Sequence, residues 1–120
     1  MNLSQIIKTL VSEIKLTEIQ AKIFLHVVIN GKMNTSKISN DLKISLDDAT
    51  QNSKKLVELG GFIDMPNDEF EAMHPRFTAV NMYRKMCERE QKEFKKNLYV
   101  DNIGVALETS YDDARTKYNK

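Results

Sequence analysis

Apolar residues recur at helical spacing along the first thirty residues. Over 3–14 they fall at every third or fourth position, the pattern of an amphipathic helix that Asn2 or Ser4 can cap. Thr17 to Gln20 then has the form of a capping box, in which each side chain can satisfy a backbone donor. The residues that follow are apolar on nearly every side as far as Gly31. The sequence therefore predicts an N-terminal helix over 3–14 and a buried central helix that ends at Gly31.

Two short apolar segments separated by a polar turn come next. The first fits a helix over about 35–42, and the turn Lys43-Ile44 follows it. Ser45, with Asp48 three residues later, can cap a second helix that runs to about Leu59, where two glycines end it. The inward positions are 38, 42, 44, 49 and 56. This spacing predicts two helices that cross at a steep angle, the arrangement of a helix-turn-helix.

Beyond the glycines the pattern changes to short runs of β character. The runs cover 62–65 and 69–73, and the segment Pro66-Asn67-Asp68 between them is a turn-forming set. They predict a two-stranded hairpin, which after a helix-turn-helix is typical of a wing. Pro75 then suits the first position of a new helix.

From residue 76 the pattern is helical for at least twenty residues, with a seam at a spacing of three to four. The seam consists of Val80, Tyr83, Cys87, Glu90, Phe94 and Leu98. Beyond Tyr99 the helical pattern weakens around Gly104, and a second segment extends to about Lys117. We therefore expect long C-terminal helices with a break shortly after Tyr99.

The order of these elements resembles the winged helix-turn-helix regulators. Residues 38–45 and 54–56 are similar to the helix-turn-helix pattern of prokaryotic repressors. Several stretches resemble the DNA-binding domain of the archaeal TrmB-type regulators more closely, and the flanking helices are similar to those of MarR-type dimers. These stretches are 16–25, Gly31, Ile38, Leu56, 60–63 and 70–75. The likeness covers about 16–80 and implies a symmetric dimer whose fourth helix enters the major groove while the wing touches the backbone.

The fourth helix carries polar side chains that can read base edges. Gln can pair bidentately with adenine, Thr can donate or touch a thymine methyl group, and Asp can accept from cytosine. Neighbouring lysines would hold phosphates. The predicted DNA-binding residues are Lys37, Lys43, Ser45, Leu46, Asp47, Thr50, Gln51, Lys54 and Lys55. The first hypothesis is therefore a sequence-specific, DNA-binding transcriptional regulator whose partner is double-stranded DNA.

Two apolar stripes lie along 3–14 and about 76–117. One small domain would leave both stripes exposed to solvent, so we expect a second copy of the chain to bury them in a homodimer. The predicted interface residues are Leu3, Ile6, Ile7, Leu10, Val80, Tyr83, Cys87, Phe94 and Leu98. A small-molecule effector pocket between the wing and the terminal helices is a further hypothesis. Its support is limited to Tyr83, Met86, Phe94 and Tyr99, which a helical core explains more simply.

Charge distribution favours an alternative function. Residues 31–74 hold five lysines against eight acidic residues, a net charge of −3, while residues 75–100 hold seven basic against three acidic residues, a net charge of +4. Asp47 and Asp48 begin the fourth helix, and the wing tip Asn67-Asp68-Glu69 is acidic; carboxylates repel phosphate. The second hypothesis is therefore a protein-interaction winged-helix module of transcription or chromosome machinery that does not bind DNA directly.

Length and composition bound the remaining expectations. The 120 residues predict one domain, with an N-terminal helix over 1–15, a winged helix-turn-helix over 16–75 and C-terminal dimerisation helices over 76–120. An apolar fraction of 41% is ordinary, and no apolar run reaches about 20 residues. The segment Met1 to Leu10 lacks the basic start and the small-residue cleavage site that are expected of a leader. A single cysteine agrees with a reducing compartment. We expect a mainly α protein with a small β-hairpin, cytoplasmic and without a membrane partner.

Candidate chemistry is sparse. No nucleophile with a paired base, phosphate loop or metal-ligand spacing stands out, so we expect no enzyme activity, cofactor or metal site. His26 lies inside the central helix, where no carboxylate or nucleophile accompanies it at helical spacing. The sequence favours a hydrogen-bonded structural histidine there.

Overall fold

The computed structural model describes residues 1–118, which form helices and three short strands. The elements are α1 (Leu3–Ile14), α2 (Glu18–Asn30), β1 (Met33–Asn34), α3 (Thr35–Leu42), α4 (Leu46–Leu59), β2 (Ile63–Met65), β3 (Glu69–Glu71), α5 (Pro75–Arg89) and α6 (Leu98–Tyr118). The chain is mainly helical with a small antiparallel sheet, so the predicted fold class is confirmed at that level. The last two residues of the predicted C-terminal segment, 119 and 120, lie outside the described residues.

The predicted helix starts are made by side-chain caps. Thr17 accepts a hydrogen bond from the backbone N–H of Gln20 at 3.2 Å, and the Gln20 side chain accepts from the N–H of Thr17 at 3.0 Å. Asn2 and Gln5 form the same reciprocal pair at the start of α1. Each pair satisfies backbone donors that a helix start leaves without an intrahelical partner. This explains why α1 and α2 begin where the sequence predicts.

The sheet has one strand more than the predicted hairpin. Its order is β1-β3-β2 with both pairings antiparallel, and Met33 of β1 lies opposite Phe70 of β3. β1 is only two residues long, and its second residue, Asn34, is also the N-cap of α3. Two residues are too few to show the alternation that marks a strand, so the pattern could not reveal it.

The C-terminal helices break earlier than predicted. α5 ends at Arg89, Gln91 takes a φ of 55°, and α6 begins only at Leu98. The Asn97 side chain caps α6 by accepting from the backbone N–H groups of Tyr99 and Val100. The expectation of one seam through 90, 94 and 98 is therefore wrong, because those positions lie on the connection and at the start of another helix.

Gly104 does not break the helix, contrary to expectation. It lies inside α6, where a Cβ would come within 2.6 Å of the Cα of Arg76 and 3.0 Å of its backbone nitrogen. The glycine therefore allows α6 to cross the first turn of α5 at backbone distance, and its packing role outweighs its low helix propensity.

Buried apolar side chains form one continuous cluster that extends from Ile6 in α1 to Tyr111 in α6. Phe24 of α2, Phe62 and Phe70 follow one another through it, with ring centroids 6.1 and 6.0 Å apart. These rings join the central helix to the sheet. Over residues 1–118, the helices are too short or too polar to cross a membrane.

Candidate nucleic-acid interface

The connection between α3 and α4 is fixed by local hydrogen bonds. The Ser39 hydroxyl donates to the carbonyl oxygen of Ile44 at 2.7 Å, and the backbone N–H of Ile44 donates to the carbonyl oxygen of Ser39 at 3.1 Å. Lys43 occupies the left-handed C-cap position of α3 with a φ of 56°. Ser45 then caps α4 by accepting from the N–H of Asp48 at 3.0 Å. These contacts hold the start of α4 in a fixed orientation relative to α3.

One face of α4 is buried and the opposite face is exposed. Ala49, Ser53, Leu56 and Leu59 point into the core. On the other side lie exposed Leu46, Asp47, Gln51, Lys54 and Lys55, with Thr50 half-buried at the margin. The predicted DNA-binding residues of this helix therefore share an accessible surface, together with its cap Ser45.

Asp47 and Gln51 are hydrogen-bonded to each other on this exposed face. The Nε2 atom of Gln51 donates to both carboxylate oxygens of Asp47, at 3.0 Å each. The pair is four residues apart, one helical turn, a spacing at which such side chains meet. The sequence shows this spacing. The sequence prediction, however, treats Asp47 and Gln51 as separate base-reading residues and does not include a hydrogen bond between them.

The four predicted phosphate-binding lysines differ in their surroundings. Lys37 lies 3.1 Å from the Asp41 carboxylate, and Lys55 lies 3.2 Å from that of Glu58. Lys43 and Lys54 are exposed, and within residues 1–118 neither ammonium has an acidic group within 4.0 Å. The two unpaired lysines bracket Asp47 and Gln51 along the chain, so they are the strongest phosphate candidates among the four.

His26 has an acidic partner that the sequence pattern does not reveal. Its Nε2 lies 2.8 Å from an oxygen of Asp41 in α3, and Asn30 lies 3.1 Å from its Nδ1. Hydrogen bonds from His26 and Lys37 hold the pKa of Asp41 below its ordinary value. The contact joins α2 to α3, and its two residues are fifteen positions apart in the sequence. Because they lie on different helices, the spacing of residues within one helix cannot predict that they meet. The expected hydrogen-bonded histidine is present, and its partner comes from another helix.

Replacing Asp41 with asparagine should make the protein less sensitive to acid. A carboxyl whose pKa is lower in the folded than in the unfolded state stabilises the fold above its unfolded pKa, and that contribution disappears as the pH falls through the folded value. The stability difference between the wild type and Asp41→Asn should therefore be constant near neutral pH and shrink below about pH 3.8, the ordinary value. Urea unfolding measured over a pH series tests this. The matched control is Asp64→Asn, an exposed carboxylate on β2; equal pH profiles for the two variants would contradict the assignment.

His74, Glu108 and Asp112 form a second cluster, at the junction of α5 and α6. One ligand atom from each lies within 4.8 Å of the others, a separation that a divalent cation could bridge. Two contacts oppose this use. The backbone N–H of Arg76 donates to Nδ1 of His74 at 3.2 Å, which places the proton of the neutral ring on Nε2, the atom facing Glu108. The Arg76 side chain also binds the other oxygen of Glu108 at 3.1 Å. The Arg76–Glu108 ion pair therefore joins α5 to α6, with His74 and Asp112 beside it.

A cavity of about 260 Å³ lies between α2, β3 and α6. Its lining combines the apolar Val27 and Ala72 with the polar Glu71, Tyr111 and Arg115. The residues predicted to support an effector pocket lie elsewhere. The ring centroids of Tyr83 and Phe94 are 5.9 Å apart, and the cavity beside these rings has a volume of only about 40 Å³. Met86 is buried in the core, and Tyr99 is 66% exposed.

The predicted dimer residues divide into accessible and inaccessible positions. Ile6, Leu10 and Cys87 are buried within the chain itself, so the expectation that they contact a partner is corrected: they belong to its own core. Ile7, Val80 and Tyr83 are partly buried. Leu3, Phe94 and Leu98 are at least 49% exposed and stay available to a partner. The error arises because the helical stripes that suggested an external cover are largely covered by α2, α5 and α6.

Comparisons of the chain with family models, curated proteins and solved structures gave no match. The resemblance to winged helix-turn-helix regulators therefore stays a prediction.

Proposed function

We propose that the chain is a sequence-specific DNA-binding transcriptional regulator of the winged helix-turn-helix type that acts as a homodimer. The observation that carries the proposal is the exposed face of α4, where polar side chains lie between Lys43 and Lys54, neither of which has an acidic partner in the part of the chain that the structure describes. An α-helix fits the major groove of B-DNA, and side chains near its start reach base edges. The fixed turn before α4 supports this role, because a recognition helix must be presented rigidly.

The lysines on and near α4 differ in how readily they could contact phosphates. Lys43 precedes the helix and Lys54 lies two turns into it, so each can neutralise a phosphate at opposite ends of the contact. Lys37 and Lys55 would first have to leave Asp41 and Glu58, both at the surface, where such pairs are weak.

The β2–β3 hairpin would serve as the wing. Its tip residues Asn67 and Asp68 both have positive φ, which permits a tight turn.

Binding of random-sequence duplex DNA over a series of salt concentrations tests the proposal. Each phosphate contact changes the slope of log affinity against log salt by about 0.9. The double variant Lys43→Ala, Lys54→Ala should therefore bind more weakly and show a slope smaller by roughly 1.8. The control is Lys15→Asn, Lys92→Ala, which removes the same charge from exposed positions just after α1 and just after α5. No salt-sensitive binding by the wild type at low ionic strength, or equal slopes for the two double variants, would refute the proposal.

The homodimer is supported by apolar side chains that the chain leaves uncovered. Leu3 and Val11 on α1 are 54% and 37% exposed, and Ile7 between them lines a groove against α2. Leu98 and Tyr99 at the start of α6 are 65% and 66% exposed. Sedimentation at micromolar concentration should give twice the chain mass of 13.8 kDa. A single species at the chain mass would remove the dimer from the proposal.

A second candidate is a winged-helix module that binds another protein. It is favoured by the acidic start of α4 and the acidic hairpin tip, since Asp47, Asp48 and Asp68 are all exposed. A surface of this charge would suit a basic protein partner more than a phosphate backbone. The salt series separates the two candidates, because this module would bind no duplex.

A further inference from the structure

We infer that the cavity between α2, β3 and α6 binds an apolar α-amino acid, with Arg115 and Tyr111 holding its carboxylate and Glu71 its ammonium group. The cavity has a volume of about 260 Å³. Sites for drug-sized ligands measure roughly 300–1,000 Å³, so this cavity suits a smaller molecule. Its lining residues lie outside α4, so the site is separate from the proposed DNA interface and can be tested without DNA.

Arg115 and Tyr111 offer hydrogen-bond donors to an anion in the cavity. They lie one turn apart on α6, and Nη1 of Arg115 donates to the hydroxyl oxygen of Tyr111 at 2.8 Å. Because that oxygen already accepts from Arg115, the hydroxyl proton can be donated to a ligand. The guanidinium keeps further N–H donors, and a carboxylate is an acceptor that matches its planar fork. The pair is therefore suited to a carboxylate.

Glu71 brings a negative charge to the same cavity. It is half-buried on β3, while Arg115 is exposed on α6. In the described range, 1–118, neither side chain has an oppositely charged group within 4.0 Å. Lys32 also lines the cavity but already takes part in another interaction. The Glu71 carboxylate repels a simple anion and attracts a positive group, so a ligand with both charges is favoured over one with either alone.

The rest of the cavity wall is mostly small and apolar. The side chains of Val27 and Val28 on α2, Ala72 after β3 and Ala114 on α6 are at most 5% exposed. None of these side chains can form a hydrogen bond, so the part of the ligand that contacts them is apolar. A molecule with a carboxylate, an ammonium group and an apolar side chain is an apolar α-amino acid.

A ligand held in this way would connect the hairpin to the last helix. Glu71 lies opposite Ile63 of β2 in the sheet, and Arg115 belongs to α6. Binding should therefore restrain β2 and β3 relative to α6. Amide hydrogen exchange in the two strands should become slower when the cavity is occupied.

Isothermal titration calorimetry of the full chain with L-valine, L-leucine, L-isoleucine and L-phenylalanine tests the site. At least one of them should bind, with one site per chain, and should raise the temperature of thermal unfolding. Analogues that lack one of the two charges should bind at least about tenfold more weakly than the parent. For leucine these analogues are 4-methylpentanoate, without the ammonium group, and 3-methylbutylamine, without the carboxylate.

Substitutions inside and outside the cavity identify the residues that bind the ligand. Arg115→Met and Glu71→Gln should each weaken binding about tenfold or more, because each removes one charge-assisted contact. Tyr111→Phe should weaken it less, by about fivefold, because a neutral hydrogen bond is lost while the ring stays. The controls are Arg89→Met, at an exposed position that ends α5, and Glu69→Gln, on the same strand as Glu71 but outside the cavity lining. Both controls should bind like the wild type.

Three results would contradict the site. The first is that none of the four amino acids binds at millimolar concentration. The second is that an analogue with a single charge binds as tightly as its parent. The third is that Arg115→Met or Glu71→Gln binds as tightly as its control. Circular dichroism and thermal unfolding of each variant without ligand verify that a lost affinity does not reflect a lost fold. The salt series with duplex DNA measures the proposed function separately, so the site and DNA binding can fail independently.

Discussion

Replacing Phe62 with alanine is expected to lower the free energy of unfolding by about 3–5 kcal/mol. Phe62 is 4% exposed and lies between Phe24 of α2 and Phe70 of β3, with ring centroids 6.1 and 6.0 Å away. Truncation removes the middle ring, so apolar burial and two ring contacts are lost, and a cavity is left where the neighbours cannot close in. Chemical denaturation monitored by circular dichroism measures the change.

Phe77 provides the matched control for this substitution. It is also a phenylalanine, but it is 54% exposed on α5. Phe77→Ala should change the free energy of unfolding by no more than about 0.5 kcal/mol. A loss for Phe62→Ala as small as that of the control would show that the three rings do not join the central helix to the sheet.

Two serines of the α3–α4 segment should respond to alanine substitution with opposite signs. The Ser53 hydroxyl is fully buried in α4 and, among the described residues, has no hydrogen-bond partner. A buried polar group without a partner costs about 1–3 kcal/mol, and alanine also has the higher helix propensity. Ser53→Ala should therefore raise the free energy of unfolding by about 1–2 kcal/mol.

Ser39→Ala is the counterpart, because this hydroxyl donates to the carbonyl oxygen of Ile44 at 2.7 Å in the turn. Its loss should lower the free energy of unfolding by about 1 kcal/mol. Thermal and urea unfolding of both variants measure the two signs. A destabilised Ser53→Ala protein would show that the buried hydroxyl has a partner in solution, such as a bound water molecule.

Most of the helix boundaries could be predicted from local sequence signals. The pair Thr17 and Gln20 and the cap Ser45 act within three or four residues, so their spacing can be recognised without knowing the fold. The inward positions of the motif were predictable for the same reason, and Ile38, Ala49 and Leu56 are fully buried.

Contacts between distant segments could not be predicted in this way. The partnership of His26 with Asp41, the pairing of Met33 with Phe70 and the approach of Gly104 to Arg76 each depend on how whole elements pack. The early end of α5 belongs to the same class, because Phe94 returns to pack on Tyr83 instead of continuing a helical seam. Of the candidate site, the residues were predicted but the bond between Asp47 and Gln51 was not.

The cluster of buried side chains that runs from Ile6 to Tyr111 joins the first helix to the last one. α1 packs on both α2 and α6, and Asn97 donates to Glu13 across 84 residues of sequence. The segment 16–75 therefore cannot be separated from its flanks without uncovering the apolar faces that they cover. Folding should be slowed by the closure of the long loop between the two ends, while α3 and α4 can associate early through local contacts. Mutations far from α4, in the first or last helix, would then alter the fraction of molecules in which the candidate interface on α4 is intact.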